Sequence, residues 1–233
     1  MSYFNPDKEN MSPLQRNLLR LLRIFLLVFG IFIVITGGAN GTERIFGWLI
    51  LIALAIINAP SFVTRGRIRA LPVEIELLLL AMVLFELVGG DALGLYVKIP
   101  YYDNFMHLML PLYIALIGMM VVYTMYFYGK LKASLGAMAF IIIIMTIGFG
   151  AVLEMGEYTY DTYLADGPLG EITGNTRMQG SPTQSPLDDT MNDFFMDTIG
   201  GIIGAGIGVL LIRRNEKKGE HWKVADEVGK IIN

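Results

Sequence analysis

The sequence contains no cysteine. That absence excludes disulfide frameworks, thiolate metal sites and cysteine nucleophiles. Histidine is nearly as scarce, with His107 and His221 alone, so any metal chemistry draws on carboxylates and at most two imidazoles. Charge is sparse too: 17% of the 233 residues are Asp, Glu, Lys or Arg, against about 25% in soluble domains. A net charge of -3 offers no basic footprint for nucleic acid. G-x-S-x-G, P-loop and H-E-x-x-H motifs are all missing, as is an internal repeat with a convincing period.

What is present is apolar. Hydrophobic residues make up 54% of the chain, and a bilayer-spanning helix needs about 20 of them in a row. Six segments qualify, at 18–36, 44–60, 73–90, 105–128, 135–158 and 190–212. The composition therefore predicts an all-α, polytopic membrane protein built as a six-helix transmembrane bundle. The first segment follows basic residues as a secretory signal would, but its apolar run is long and ITGGANG is a poor cleavage site, so it reads as a retained helix. INAPSF, LVGGD and FYGKLKASLG are short connections rich in turn residues, which predicts antiparallel neighbours and a single integral membrane domain over 1–233. The one long connection, 164–186, is rich in Gly, Pro, Thr, Ser and Gln and belongs outside the hydrocarbon.

The basic residues set an orientation. Lys8 and Arg16 precede the first segment and Arg20 and Arg23 lie in its opening turns, Arg65, Arg67 and Arg69 follow the second, Lys130 and Lys132 follow the fourth, and the rest lie beyond the sixth; Arg44, Lys98 and Arg177 are the exceptions. The positive-inside rule then places both termini in the cytoplasm, with 1–16 and 213–233 as cytoplasmic segments and 164–186 as an extracytoplasmic loop. The expected location is the cell membrane, inner or plasma, crossed several times.

On that topology the acids gather on the outer side. Asp103 and His107 are spaced i,i+4 at the head of the fourth segment, Glu154 and Glu157 i,i+3 near the end of the fifth, and Asp189, Asp193 and Asp197 recur every four residues on the sixth. Each set shares one helical face, and all three lie at one level of the outer leaflet. A carboxylate within a span costs several kcal/mol unless it is paired, protonated or solvated, and the outer side has few bases. The group therefore calls for a cation, shared protons or a water-filled cleft. Helix capping and the macrodipole account for Asp188, Asp189 and Asp103 near helix starts, but do not reach Asp197. The Asp189 stripe continues as Gly200, Gly204 and Gly208, small residues that let membrane helices pack closely. Glu43, Asp91, Asp166 and Glu171 read as solvated loop acids, and Glu86 is placed to join the acidic group.

Elsewhere the readings are plainer. Glu74 and Glu76 sit near Arg65, Arg67 and Arg69 and suggest surface ion pairs. In the tail, Trp222, Ala225, Val228 and Ile232 recur at helical spacing among basic residues, which predicts a short helix on the inner membrane surface with His221 as an interfacial bystander. The 14 methionines read as packing and lipid-facing material.

Asp103-x-x-x-His107, Glu154-x-x-Glu157 and Asp189-Thr190-x-x-Asp193-x-x-x-Asp197-x-x-Gly200, together with LFELVGGDALG before YYDNFMH, resemble the YjdF-type bacterial inner-membrane proteins. The likeness spans roughly 84–208. More distantly the motifs resemble the VanZ-like family, associated with teicoplanin resistance. VanZ-like proteins tend to carry Asp-Lys before the histidine, Glu-x-x-Gln in the next helix and Asn near the Asp197 position, so Asn104, Glu157 and Asp197 make this site the more acidic. The resemblance supports His107, Glu154, Glu157, Asp193 and Asp197 as a site and implies no reaction.

Three functions follow as expectations. In the first, Asp103, His107, Glu154, Glu157, Asp189, Asp193 and Asp197 hold one or two divalent metal cations, with Glu157 and His107 catalytic, and act on a lipid-linked or cell-envelope substrate among the membrane lipids. In the second, the acids form a proton or cation pathway for transport; the apolar runs IIIIMTIG and GAGIGVLLI disfavour it. In the third, the chain is a non-catalytic membrane accessory protein and the cation is a structural staple. The metal's identity, the oligomeric state and the substrate stay open.

Overall fold

The computed structural model describes residues 12–37, 42–63, 71–173, 177–180 and 184–232. Lys8, Arg65, Arg67 and Arg69, which enter the orientation argument, lie outside them. Among the described residues the regular structure is helical, with no strand: α1 is Pro13–Thr36, α2 Thr42–Val63, α3 Val73–Val83, α4 Leu95–Lys98, α5 Tyr102–Phe127, α6 Leu135–Thr159, α7 Pro168–Thr173, α8 Pro186–Glu216 and α9 Val224–Ile232. Two π-helical stretches, Leu84–Ala92 and Tyr160–Leu164, extend α3 and α6. All six apolar segments fall on helices. Four helical stretches, Pro13–Thr36, Tyr102–Phe127, Leu135–Leu164 and Pro186–Glu216, are long and apolar enough to cross a membrane; the apolar stretch Arg44–Ala59 is shorter.

The helix starts are written locally. Ser12, Ser134 and Ser185 cap α1, α6 and α8 by accepting a backbone N–H with the hydroxyl, and Pro13 and Pro186 occupy the first turn, where a missing N–H costs nothing. Large apolar side chains stay on the outside: α1 exposes Leu21, Phe25, Val28, Phe32 and Ile35, and α6 exposes Phe140, Ile144, Phe149 and Val152. Continuous apolar faces of that extent suit hydrocarbon rather than water.

Contacts group the chain into two compact units, residues 1–98 with 223–233, and residues 99–222. In the first, Leu19 and Leu26 of α1, Ile50, Leu54 and Ile57 of α2, and Leu80, Val83 and Val88 of the third helix form a buried core. An ion pair lies within this unit. Arg23 on α1 is 3% exposed and its Nε donates to Glu76 Oε1 of α3 at 2.7 Å, while Glu76 is 1% exposed. Glu76 therefore belongs to the interior rather than to a surface pairing, because its partner comes from α1, 53 positions away in sequence.

In the second unit α8 packs along α5 and α6. The expected glycine stripe faces α5: a Cβ at Gly200 would meet the Leu108 carbonyl, one at Gly204 Ala115 Cβ at 2.8 Å, and one at Gly208 Met119 Cβ at 2.8 Å. Close backbone approach is the reason for glycine at these positions. The tail differs from the expectation of a surface helix. α9 forms within the first unit, with Val224, Ala225 and Val228 buried, while in the second unit Trp222 packs with its ring centroid 6.1 Å from that of Tyr123. His221 stacks on Phe127 with ring centroids 4.4 Å apart.

Candidate functional site

Every acid and the histidine singled out by helical spacing belong to the second unit. α5 supplies Asp103 and His107 from its first two turns, α6 supplies Glu154 and Glu157 from its last, and α8 supplies Asp189, Asp193 and Asp197. The imidazole is the centre. Its Nδ1 lies 3.1 Å from Asp197 Oδ1, and its Nε2 lies 3.8 Å from Asp103 Oδ1 and 3.9 Å from Asp193 Oδ2. One ligand-type atom each from Asp103, His107 and Asp193 fall within 4.8 Å of one another, and the same holds for His107, Glu154 and Glu157. Asp189 and Asp197 belong to neither triad.

Asp193 and Asp197 are each 1% exposed, and Glu154 is 4% exposed. Among the described residues Glu154 Oε1, both oxygens of Asp193 and Asp197 Oδ2 are buried with no hydrogen-bond partner. Native interiors rarely leave such atoms alone, because a buried oxygen without a partner keeps its full desolvation cost. Two other oxygens of the cluster are answered by the chain. Glu154 Oε2 accepts from Thr190 Oγ1 at 2.8 Å and from Gln179 Nε2 at 3.1 Å, and Asp189 Oδ2 accepts from the Gly180 N–H at 2.8 Å. Asp188 keeps to the capping role through Ser185.

Residues 177–180 of the long connection lie across this site. Asp161 accepts the N–H groups of Met178 and Gln179 at 2.8 and 2.9 Å, and Arg177 pairs with Asp166 at 2.9 Å and donates to the Asp161 carbonyl. Gly180 turns the strap at φ +79°, a conformation that glycine adopts without strain. Arg177 is thus engaged with Asp161 and Asp166, leaving six carboxylates and one imidazole in the cluster.

Asp197 is set from behind as well. A Cβ at Gly150 of α6 would collide with its carboxylate, 2.8 Å from Cγ. Glycine at 150 thereby makes the room in which Asp197 turns toward His107. In the neutral imidazole beside an ionised Asp197, Nδ1 carries the proton and donates to it, which leaves Nε2 as the nitrogen on the side of Asp103 and Asp193. Carboxylate on one ring nitrogen and open coordination on the other is the arrangement that orients metal-binding histidines. The donor set of several carboxylate oxygens and one imidazole suits a hard or borderline divalent ion.

Sequence spacing did not reveal Thr190, Gln179, Gly150 or Gly180. Thr190 sits beside Asp189 just after the first turn of α8, where a hydroxyl reads as part of the capping region, and Gln179 lies in a loop without periodicity. Glu86 and Asp91 belong to the first unit. Glu86 accepts from Tyr96 Oη at 2.8 Å, and burial together with Glu86 pushes the Asp91 carboxyl up to about 7.

The architecture so far is that of a helical membrane protein with a buried carboxylate and histidine centre. The chain belongs to the family described as predicted membrane protein (DUF2238), whose model matches residues 19–214. This is the family to which the YjdF-type motifs pointed, and the VanZ-like likeness rests on the sequence motifs alone. No curated protein and no solved structure matches the chain.

Proposed function

We propose that this protein is a six-span membrane protein, with both termini in the cytoplasm, whose outer-leaflet centre binds a divalent cation and acts on a lipid-linked or cell-envelope substrate. The observation that carries the reading is His107 held through Nδ1 by Asp197 while Nε2 faces a buried Asp193 with two unsatisfied oxygens. Asp103, His107 and Asp193 would hold the ion, with Glu154 Oε1 and Glu157 beside it. A cation there supplies Lewis-acid polarisation of a phosphoryl or carbonyl oxygen. Glu157, half-buried and outside the Gln179 and Thr190 hydrogen bonds, is the carboxylate left to accept a proton as general base. Asp197 orients the imidazole and Gln179 and Thr190 orient Glu154, so these three position the site without touching substrate.

A structural cation is the second reading, favoured because the ligands come from three helices that an ion would tie together. The test that separates them begins with elemental analysis of the detergent-purified protein beside Asp193→Asn. Stoichiometric metal in the wild type and its loss in the variant support the centre; no metal in either removes it. Glu157→Gln that keeps thermal stability and metal content but abolishes a cellular phenotype supports catalysis, and loss of stability together with metal supports the staple.

A further inference from the structure

The other end of α8 carries a feature that the acidic centre leaves unused. Leu210, Arg213, Arg214, Lys217 and Lys218 line a groove of ≈ 560 Å³. Leu210, Arg213 and Arg214 share one face of α8, and Lys217 and Lys218 continue it at and just past the end of the helix. The face continues toward the middle of α8 as Ile199, Ile203 and Ile207, which with Leu210 are among the exposed large apolar residues. Glu216, the acid within this stretch, lies about 120° around the helix from Leu210.

We propose that this face binds one anionic phospholipid, its acyl chain along Ile199, Ile203, Ile207 and Leu210 and its phosphate among Arg213, Arg214, Lys217 and Lys218. Charge and shape both argue for that occupant. An apolar strip ending in four cations is the complement of an amphiphile with an anionic head, and a soluble anion would have no use for the strip. Guanidinium groups on adjacent positions offer planar forks to phosphate oxygens, and the two lysines add point charge. Cations in the last turn of any helix complement its carbonyls. That preference is satisfied anywhere around the turn, whereas these four align with the exposed apolar strip. Basic clusters at the end of a membrane helix draw anionic headgroups by about fivefold in affinity per cation. The inference uses no residue of the acidic centre and stands apart from it.

Native mass spectrometry of the full-length protein in uncharged detergent supplies the test, with phosphatidylglycerol, phosphatidylcholine and glycerol phosphate as probes. The expected result is retention of phosphatidylglycerol at least about tenfold over phosphatidylcholine, a fall of about 25-fold in Arg213→Gln, Arg214→Gln, and a comparable fall in Lys217→Gln, Lys218→Gln. The lysine pair lies at and beyond the end of α8, so it supplies the answer if the arginine variant does not fold. Equal retention of the two lipids, or unchanged retention in a folded double variant, overturns the proposal. Glycerol phosphate binding as tightly as phosphatidylglycerol overturns it in favour of a soluble anion.

Discussion

Asp197 and His107 come together from α8 and α5 with Oδ1 and Nδ1 3.1 Å apart, across 90 positions of sequence. The pair fixes which nitrogen of the ring faces Asp103 and Asp193. Asp197→Asn keeps the shape and can present its amide to Nδ1 as a donor, which favours the opposite tautomer and puts the ring proton on Nε2. Metal affinity, read by titration of the purified protein, is expected to fall about 10- to 100-fold, while Asp193→Asn removes a ligand and abolishes stoichiometric binding.

Gly150→Ala tests the same pair from the opposite wall. The new methyl would collide with the Asp197 carboxylate, and the relief available is movement of a buried side chain or of α6 against α8. Overpacking of this kind costs about 1–3 kcal/mol, so the thermal midpoint in detergent drops and metal affinity drops with it. Gly148→Ala, with nothing within 4 Å of its added carbon, is the control and leaves both unchanged.

The strap offers a protease readout. Arg177 is the one basic residue between Lys132 and Arg213, and residues 177–180 are tied to Asp161, Glu154 and Asp189. Cation binding would steady the carboxylates that receive these bonds. Trypsin should therefore cut after Arg177 slowly with metal present and faster after chelation, at a rate that Asp193→Asn makes independent of metal. Equal cleavage of the wild type with and without metal would separate the strap from the centre.

The buried ion pair of the first unit sets a stability prediction. Glu76→Gln leaves Arg23 charged and enclosed, and breaking a buried pair from one side costs about 3–5 kcal/mol. Replacing both residues by methionine removes the two charges together and is expected to recover most of that loss in the thermal midpoint.

Asp91 gives the pH dependence. Its carboxyl titrates near 7 in the folded protein, against 3.8 as the ordinary value. Between those values the folded chain holds a proton that the unfolded chain releases, so this group's contribution to stability is full below about 4 and declines as pH rises to about 7. Asp91→Asn stays neutral, and thermal midpoints from pH 4 to 8 should fall less with rising pH in the variant than in the wild type. Parallel curves would remove Asp91 from the effect.

Spacing alone carried the cluster a long way. Asp103 with His107, Glu154 with Glu157 and the three aspartates of α8 could each be placed on a face because a helix repeats every 3.6 residues, and those faces do converge. The part that sequence left hidden depends on what lies opposite. Periodicity marks an apolar or polar stripe without naming its neighbour, so Glu76 was assigned to nearby arginines rather than to Arg23, and the Trp222 face to lipid rather than to protein. Gln179 and Thr190 escaped for a related reason: one is in an irregular loop and the other resembles a cap, and their role appears only when Glu154 is set between them. Gly150 shows the limit most clearly, since a glycine in an apolar helix gives no sign that the space it leaves belongs to Asp197.

The placement of Asp193 and Asp197 inside α8 has a consequence for how the protein is made. A helix entering the bilayer alone with two ionised aspartates meets an insertion cost of about 3 kcal/mol for each. α8 follows α5 and α6 in the chain, so when it leaves the ribosome they have already been synthesised, carrying His107 and Gly150. Its own hydrophobicity is thus supplemented by waiting partners, and biogenesis runs in chain order: the helix least able to insert unaided is the one that arrives when its binding surface already exists.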